Sequence, residues 1–475
     1  MGMLDHYVDL YVKFKGKAPF DEKRETSIQA ISQTLFCTDR NSKFILRKLE
    51  DSHWIKWFPG KGRGKRSSLL FLKDPEELIL EEAKAWVKNG NHPEAHLIID
   101  SYQSRFPRMK EQFDAWFQQL FGFHHEVETD RTQDVLRLDF NKLPIAPLDP
   151  LLATLRSECH IVSHVCETLV TFDKSKNQFV PQLAFFWETT DHVTWRFYLR
   201  KGISFHNGRL FTAKDVTYTF LRALKNKETP AFWMVEQIES VIEVDPYIVE
   251  FQLKTPNYFF LNLLSDEHMS ILSHSNGDQP IDAHLIGTGP YKLSQNTENR
   301  LVLDVFEGYF KERPFLDRVE YWAIPNKLKA VNERTLSSTD IWQGVYYDDI
   351  HTMKEAHVHL EWNVQFLSLN LRKNGPLQNK AFREAFLKLI DAAALIRELG
   401  GDREEEANGF FPDDQIQLQM AKEVGSISNF EGERLTLFTF NDEDHIEDTE
   451  WLITRCQAHG ITITPFYLDK DELLK

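Results

Sequence analysis

Residues 53–72 have the sequence HWIKWFPGKGRGKRSSLLFL, and this stretch decides how the first part of the chain folds. Aromatic and β-branched side chains over 53–58 and apolar ones over 68–72 predict two strands. Between them the Pro-Gly-Lys-Gly sequence from Pro59 favours a tight turn. The turn region 61–66 contains four cations in six residues. The stretch therefore predicts a β-hairpin with a strongly basic tip.

Three helices are predicted before the hairpin. Apolar residues recur at helical spacing over 4–14, and a second helix is expected over 26–35 with Thr26 as its N-cap. A third is expected over 39–51, with Thr38 as its N-cap. Three helices followed by a hairpin predict a winged helix-turn-helix over residues 1–73, with a DNA-binding role.

Such a motif places its second helix in the major groove, and here that is the helix over 39–51. Arg40, Lys43 and Arg47 fall near one face of it, and asparagine and arginine side chains suit adenine and guanine edges. Glycines in the hairpin let the backbone approach phosphates, to which the cations are attracted. The alternative is that helix and hairpin form a basic surface that is exposed to solvent and binds no nucleic acid. The predicted DNA-binding residues are Thr38, Arg40, Asn41, Lys43, Arg47, Lys61, Arg63, Lys65 and Arg66.

The charge distribution supports a basic, DNA-binding N-terminal segment, residues 1–73, which we call the head. The rest of the chain is acidic. The chain of 475 residues has a formal net charge of −16, which alone argues against nucleic-acid binding. Basic residues nevertheless outnumber acidic ones within 1–73, so the remainder is strongly acidic. The length suits two or three domains, and the hydrophobic fraction of 42% suits a sizeable core.

The sequence predicts a cytoplasmic protein. Its first residues form an amphipathic pattern instead of a signal peptide, and no run of about 18 apolar residues is present, so no membrane association is expected. The four cysteines are scattered along the chain, which favours a reducing compartment over a disulfide framework.

Beyond the head, residues 74–130 are expected to form a helical connector, broken near 90–93 and 106–107. From 131 onward short strands alternate with helices. Near the end a strand over 435–440, a helix over 446–459 and a strand over 461–466 predict a βαβ unit with parallel strands.

Two families are suggested by particular blocks of sequence. Residues 53–72 closely resemble the N-terminal domain of the SgrR family of transcriptional regulators. The stretch WRFYLRKGISFHNG at 195–208, with 211–216 after it, resembles family 5 extracellular solute-binding proteins. The GTGPY block at 287–291 and residues 366–391 extend that resemblance along the chain.

This resemblance implies a multidomain α/β protein. The body over 131–475 would be a two-lobed, periplasmic-binding-protein-like domain (class II, oligopeptide-binding type), with one lobe at about 131–330 and the other at about 331–475. Family members continue beyond the point that corresponds to Lys475, so the second lobe is expected to be incomplete. In the SgrR group such a domain senses a solute in a sugar-phosphate stress response. The Pro-Leu-Gln-Asn sequence at 376–379 departs from the family's Pro-Phe-x-Asp, which argues against peptide-type anchoring.

Candidate solute contacts rest on analogy and position: Arg156 before a helix of the first lobe, Trp342 where the second lobe begins, and Asn370 at the end of a predicted strand. No cofactor and no metal are expected. Histidines 160 and 164 share one helical face and cysteines 159 and 166 another, so the four side chains cannot converge on one ion. Without a nucleophile or metal signature, the chain is not expected to be an enzyme.

The sequence thus favours a cytoplasmic DNA-binding transcriptional regulator that senses a sugar-phosphate-, sugar- or peptide-like solute. Its expected partners are double-stranded DNA and that solute, and its oligomeric state is left open. The alternative is a cytosolic solute-binding or transport-related protein without sequence-specific DNA binding.

Overall fold

The chain forms two compact units, residues 1–342 and 343–475. The computed structural model describes residues 2–14, 22–60, 66–128, 131–140, 144–276, 281, 285–323, 364–401, 403, 405–410 and 427–473. Within these ranges, no helix is both long and apolar enough to cross a bilayer.

The head has the element order of a winged helix-turn-helix. Its elements are α1 Met3–Phe14, β1 Arg24–Thr26, α2 Ile28–Thr34, α3 Asp39–Asp51, β2 Ile55–Phe58 and β3 Ser67–Phe71. The strands pair antiparallel in the order β1-β3-β2, with Trp57 opposite Leu69. The helices bury Tyr7, Ile31 and Leu49 completely against this sheet, which confirms the predicted helices and hairpin.

The start of the second helix differs from the prediction. Thr26 lies in β1, where it pairs with Ser67, and Ser27 is the N-cap of α2. The Ser27 hydroxyl accepts a hydrogen bond from the Ala30 N–H at 3.1 Å. The strand pairing takes Thr26 out of the capping position because its backbone groups already have partners across the sheet.

The connector consists of helices α4 Pro75–Lys88, α5 His92–Tyr102 and α6 Pro107–Gln118. A proline stands in the first turn of each, where its missing N–H costs no hydrogen bond. The helices share one hydrophobic core with the head, including Ile79, Ile99 and Phe113. Head and connector are therefore packed as one body.

The described part of the first lobe is built on two larger sheets and one two-stranded sheet. The elements that follow the connector are β4 Gly122–Glu128, β5 Arg131–Phe140, α7 Arg156–Val165, β6 Val170–Asp173, β7 Gln178–Pro181, β8 Ala184–Glu188, β9 Thr194–Leu199, α8 Ala213–Lys225, α9 Phe232–Val235, β10 Ile238–Asp245, β11 Ile248–Leu253, α10 Phe260–Leu264, β12 Tyr291–Asn296, β13 Arg300–Val305 and β14 Arg318–Ala323. One larger sheet has the order β10-β11-β9-β8 and the other β12-β13-β14-β5-β4, and β6 pairs antiparallel with β7 in the small sheet. Strands β14 and β5 are parallel, and their neighbours pair antiparallel.

Residues His124, His125 and Glu126 lie in β4, although they fall within the stretch 74–130 that the sequence predicts as a helical connector. Each pairs with a residue of β5, for example His124 with Val135. A partner strand later in the chain fixes their conformation, and a local pattern does not report such a partner.

In the second unit the described elements are α11 Lys380–Leu387, α12 Ala392–Leu399, β15 Arg434–Phe440, α13 Glu443–Gln457, β16 Thr462–Leu468 and α14 Lys470–Leu473. Strands β15 and β16 are parallel, with Leu437 opposite Pro465. Gly460 ends the intervening connection at a φ of +73°, a conformation that glycine adopts without strain. The predicted βαβ unit is confirmed.

Candidate nucleic-acid interface and solute-binding domain

The turn between α2 and α3 is fixed by a small polar cluster. The Ser32 hydroxyl donates to the Asp39 carboxylate at 2.6 Å and lies 3.0 Å from the buried Ser42 hydroxyl. The Cys37 N–H donates to the Ser32 carbonyl at 3.0 Å. Because these bonds span both helices and the turn, they hold α3 at one angle to α2. A preset angle is what a helix needs if it is to enter a groove without rearrangement.

Helix α3 has one buried and one exposed face. Ser42, Ile45, Leu46 and Leu49 point into the head, each no more than 6% exposed. Thr38 caps the helix, and its hydroxyl accepts from the Asn41 N–H at 3.3 Å. The cap leaves the N-terminal turn well ordered at the surface.

The predicted DNA-binding residues of α3 come together on its exposed face. Arg40, Asn41, Lys43 and Arg47 are all exposed. At about 100° per residue, the three cations lie within roughly a 60° arc. A compact cluster of this kind presents several donors to one phosphate backbone or one groove.

The hairpin is oriented by contacts to α3 and β1. The Trp57 N–H donates to the Glu50 carboxylate at 2.9 Å, which ties β2 to the end of α3. Arg66 is exposed and pairs with Glu25 of β1 at 3.1 Å. The other predicted hairpin contacts, Lys61, Arg63 and Lys65, lie outside the described residues.

Two exposed residues of α3 were missed by the sequence reasoning. Lys48 and Phe44 stand on the same side of the helix as Arg40 and Arg47. The Lys48 ammonium lies 4.6 Å from the centre of the Phe44 ring. Plotting every residue of 39–51 at helical spacing would have placed both on this face.

The three proposed solute contacts have different surroundings. Arg156 is the first residue of α7 and is exposed. Asn370 is also exposed, and its amide oxygen accepts from the N–H groups of Arg372 and Lys373, at 3.0 and 3.3 Å. Residues 364–370 lie outside any helix or strand, so the strand expected to end at Asn370 was wrong. Trp342 falls outside the described residues.

The two most family-like blocks of the first lobe pack on each other. The ring of His206 accepts from the Gly287 N–H at 3.3 Å through Nδ1 and donates to the Gly289 carbonyl at 3.0 Å through Nε2. Burial lowers the pKa of His206 to about 4, so the imidazole stays neutral near pH 7. A Cβ atom on Gly287 would lie 1.9 Å from the Val165 carbonyl oxygen. The glycines are therefore needed because α7 passes so close.

The His160 and His164 rings do share a face of α7, with their centres 4.4 Å apart. In the part of the chain that the structure describes, no group of three or more His, Cys, Asp or Glu side chains is arranged to hold a metal ion.

Among the described residues, one buried side chain of the first lobe belongs to the core shared by the head and the connector. Trp322 of β14 is 5% exposed and belongs to that core. Its ring stacks on His92 of α5 at 5.1 Å with an interplanar angle of 4°. Its indole N–H donates to the Glu320 carboxylate at 2.9 Å.

Glu320 is fully buried and is held by two cations. Arg137 of β5 lies 2.9 Å from it, and Arg300 of β13 contacts the other oxygen. Burial alone would raise the pKa of Glu320, but the two guanidinium groups outweigh it and hold the pKa below its usual range. The Trp322 ring is thus held in place by ionised groups from three neighbouring strands.

Comparison with known families matches both parts of the chain. Residues 3–119 match the family described as sugar transport-related sRNA regulator N-term. Residues 178–424 match the family described as bacterial extracellular solute-binding proteins, family 5 middle.

Two curated relatives resemble this chain over most of its length. The protein YhjP of Bacillus subtilis (strain 168) is 38% identical over 477 residues, which cover 100% of this chain and 80% of YhjP. The HTH-type transcriptional regulator SgrR of Yersinia pestis (strain Pestoides F) is 28% identical over 369 residues, 77% of this chain. The match spans 61% of that regulator's length.

Solved structures are similar in fold. The periplasmic binding protein DppA of Helicobacter pylori, in complex with the peptide STSA, has a TM-score of 0.61 at 22% identity and covers 72% of this chain and 75% of DppA. NikA of Brucella suis, in complex with Fe(III)-EDTA, has a TM-score of 0.59 at 21% identity, with 71% and 76% covered. The body of the chain thus has the oligopeptide-binding type of α/β fold. The chain belongs to the family that joins an SgrR-type N-terminal domain to a family 5 solute-binding domain.

Proposed function

We propose that this protein is a DNA-binding transcriptional regulator that senses a small solute through its solute-binding domain. The observation that carries the proposal is the exposed basic face of α3, held at a fixed angle on a head that shares its hydrophobic core with the connector. Chromosomal DNA is the polyanion that such a helix fits, so the protein would act in the cytoplasm.

The DNA contact would have two parts. Arg40, Lys43 and Arg47 would enter the major groove or meet its phosphates, with Asn41 beside them for an adenine edge. The hairpin residues 61–66 would lie along the neighbouring backbone. Thr38 would support the first turn of α3 as its cap.

A binding titration tests this proposal. The full chain is titrated into labelled duplexes from the region upstream of its own gene, at several salt concentrations, and fluorescence anisotropy is measured. We expect Arg40→Ala and Arg47→Ala each to weaken binding about tenfold and to lower the salt slope by about one unit.

Lys380→Ala is the matched control, because Lys380 is a surface cation, 80% exposed, in the second unit. It should bind DNA like the wild type. Binding that is independent of salt, or equally strong in the arginine variants, would reject the DNA assignment.

The sensed solute would be a sugar phosphate, a sugar or a short peptide, and Arg156, Trp342 and Asn370 remain the proposed contacts. A thermal-shift screen with phosphorylated sugars and di- to tetrapeptides tests this part. A specific solute should raise the melting temperature in a concentration-dependent way, because it binds the folded state alone. No change with either class at millimolar concentration would contradict these solute classes.

The second candidate is a solute-binding protein that does not recognise DNA sequence. The likeness of the body to DppA, a peptide-binding protein, favours it. This candidate and the first differ in the titration above, since only a regulator prefers one duplex sequence over another. Neither candidate is an enzyme.

A further inference from the structure

Helix α3 exposes an aromatic ring that the head does not need for its core. Phe44 is 57% exposed, whereas Ile45, Leu46 and Leu49 of the same helix are at most 6% exposed. The apolar stripe that packs against the head is thus complete without Phe44. A single exposed apolar side chain is common on protein surfaces, so its surroundings must decide its role.

Those surroundings are basic. Arg40 lies four residues before Phe44, Arg47 three after and Lys48 four after, which places all three next to the ring on one helical face. The Lys48 ammonium sits 4.6 Å from the ring centre, in range of a cation–π contact. The contact holds the ring on the helix surface and keeps a positive charge beside it.

This setting distinguishes between two kinds of partner. The core of a protein–protein interface is depleted in lysine, so an aromatic ring in cation–π contact with Lys48 suits an apolar protein surface poorly. A polyanion neutralises the cations and lets the ring approach. In the major groove of duplex DNA the apolar group on offer is the C5 methyl of thymine.

We infer that Phe44 is a specificity-determining residue that contacts a thymine methyl group in the major groove. The inference rests on the proposed function, since it requires α3 to enter DNA. Arg40, Arg47 and Lys48 would supply affinity for phosphates or guanine, and Phe44 would require thymine at one position of the site. Uracil pairs as thymine does and lacks only the methyl group, so it isolates this contact.

The experiment starts with the full chain and a pool of random-sequence duplexes. Bound duplexes are selected and sequenced, and each thymine of the selected site is then replaced singly by uracil. For the wild type we expect one such replacement to weaken binding about fourfold, the value of one buried methyl group. In Phe44→Ala that replacement should have no effect, and the pool selected by the variant should lose the thymine.

Phe36→Ala is the matched control. Phe36 is also an aromatic residue of the head, 92% exposed, but it stands in the turn before α3. It should keep both the selected thymine and the response to uracil. Unchanged melting temperatures would show that both variants fold, as expected for exposed side chains.

The possible results distinguish a failure of the Phe44–thymine contact from a failure of DNA binding, on which that contact depends. A pool with no selected duplex would reject the proposed function, and the inference with it. A selected duplex whose binding ignores every uracil, or responds equally in Phe44→Ala, would reject the inference alone. So would a Phe44→Ala variant that selects the same site but sediments as a smaller assembly, because the ring would then belong to a contact between copies.

Discussion

At the scale of single residues, Gly287 sets how closely α7 and the GTGPY block pack. A methyl group there would overlap the Val165 carbonyl oxygen, and the backbone cannot move aside as a flexible side chain would. We expect Gly287→Ala to lower the free energy of unfolding by about 3 kcal/mol, measured by urea denaturation. Gly208→Ala is the comparison: Gly208 has a φ of +82° but free space around it, so about 1 kcal/mol is expected. Equal losses would show that packing at Gly287 is not special.

At the scale of elements, the packing of α5 on α6 should depend on pH through His96. Its ring lies between Phe113 and Phe117, with centres 5.1 and 4.9 Å away, and burial lowers its pKa to about 4. Between pH 6.5 and 4 the unfolded chain binds a proton that the folded protein excludes, so stability falls as the pH falls through this window.

We therefore expect His96→Leu to remove part of the acid sensitivity of the wild type. This group should cost the wild type about 2 kcal/mol on going from pH 7 to pH 5, since one pKa unit corresponds to about 1.4 kcal/mol. Urea denaturation at both pH values measures it. If the variant loses as much stability as the wild type over the same interval, His96 does not carry the effect.

The elements also show where sequence patterns suffice and where they do not. Capping by Thr38 and the βαβ unit at 434–468 follow from neighbouring residues, and both were predicted. Thr26 and His124–Glu126 were assigned wrongly because they pair with strands β3 and β5, which come later in the chain, and a local pattern does not report such a pairing. The exposed side of α3 was only partly identified, because its residues were chosen by their charge or hydrogen-bonding groups, and Phe44 has neither. Candidate solute contacts such as Asn370 were chosen by family analogy, and no charge pattern or residue spacing near them indicates a binding site.

At the scale of the whole molecule, Trp322 is a side chain by which the first lobe joins the hydrophobic core shared by the connector and the head, and its ring contacts lie in the connector. Two of its partners, Arg137 and Glu320, lie on the parallel strands β5 and β14 of the lobe, and His92 lies in the connector. A shift of these strands would move the ring within the core of the connector. A change of state in the lobe would thus reach the connector, which shares its core with the head, as coupling between two sites requires.

We expect Trp322→Ala to break this connection. Removing a buried tryptophan costs about 3–5 kcal/mol, and the loss should fall on α5 and α6, which pack around the ring. Hydrogen exchange should therefore quicken roughly 100-fold at amides of these helices and much less in β9 and β11, which belong to the other sheet of the lobe. Trp233→Ala, at a site 62% exposed in α9, should leave both regions as they are. Equal protection of α5 and α6 in the two variants would mean that the connector and the first lobe are stable independently, and the proposed coupling between solute and head would then need another route.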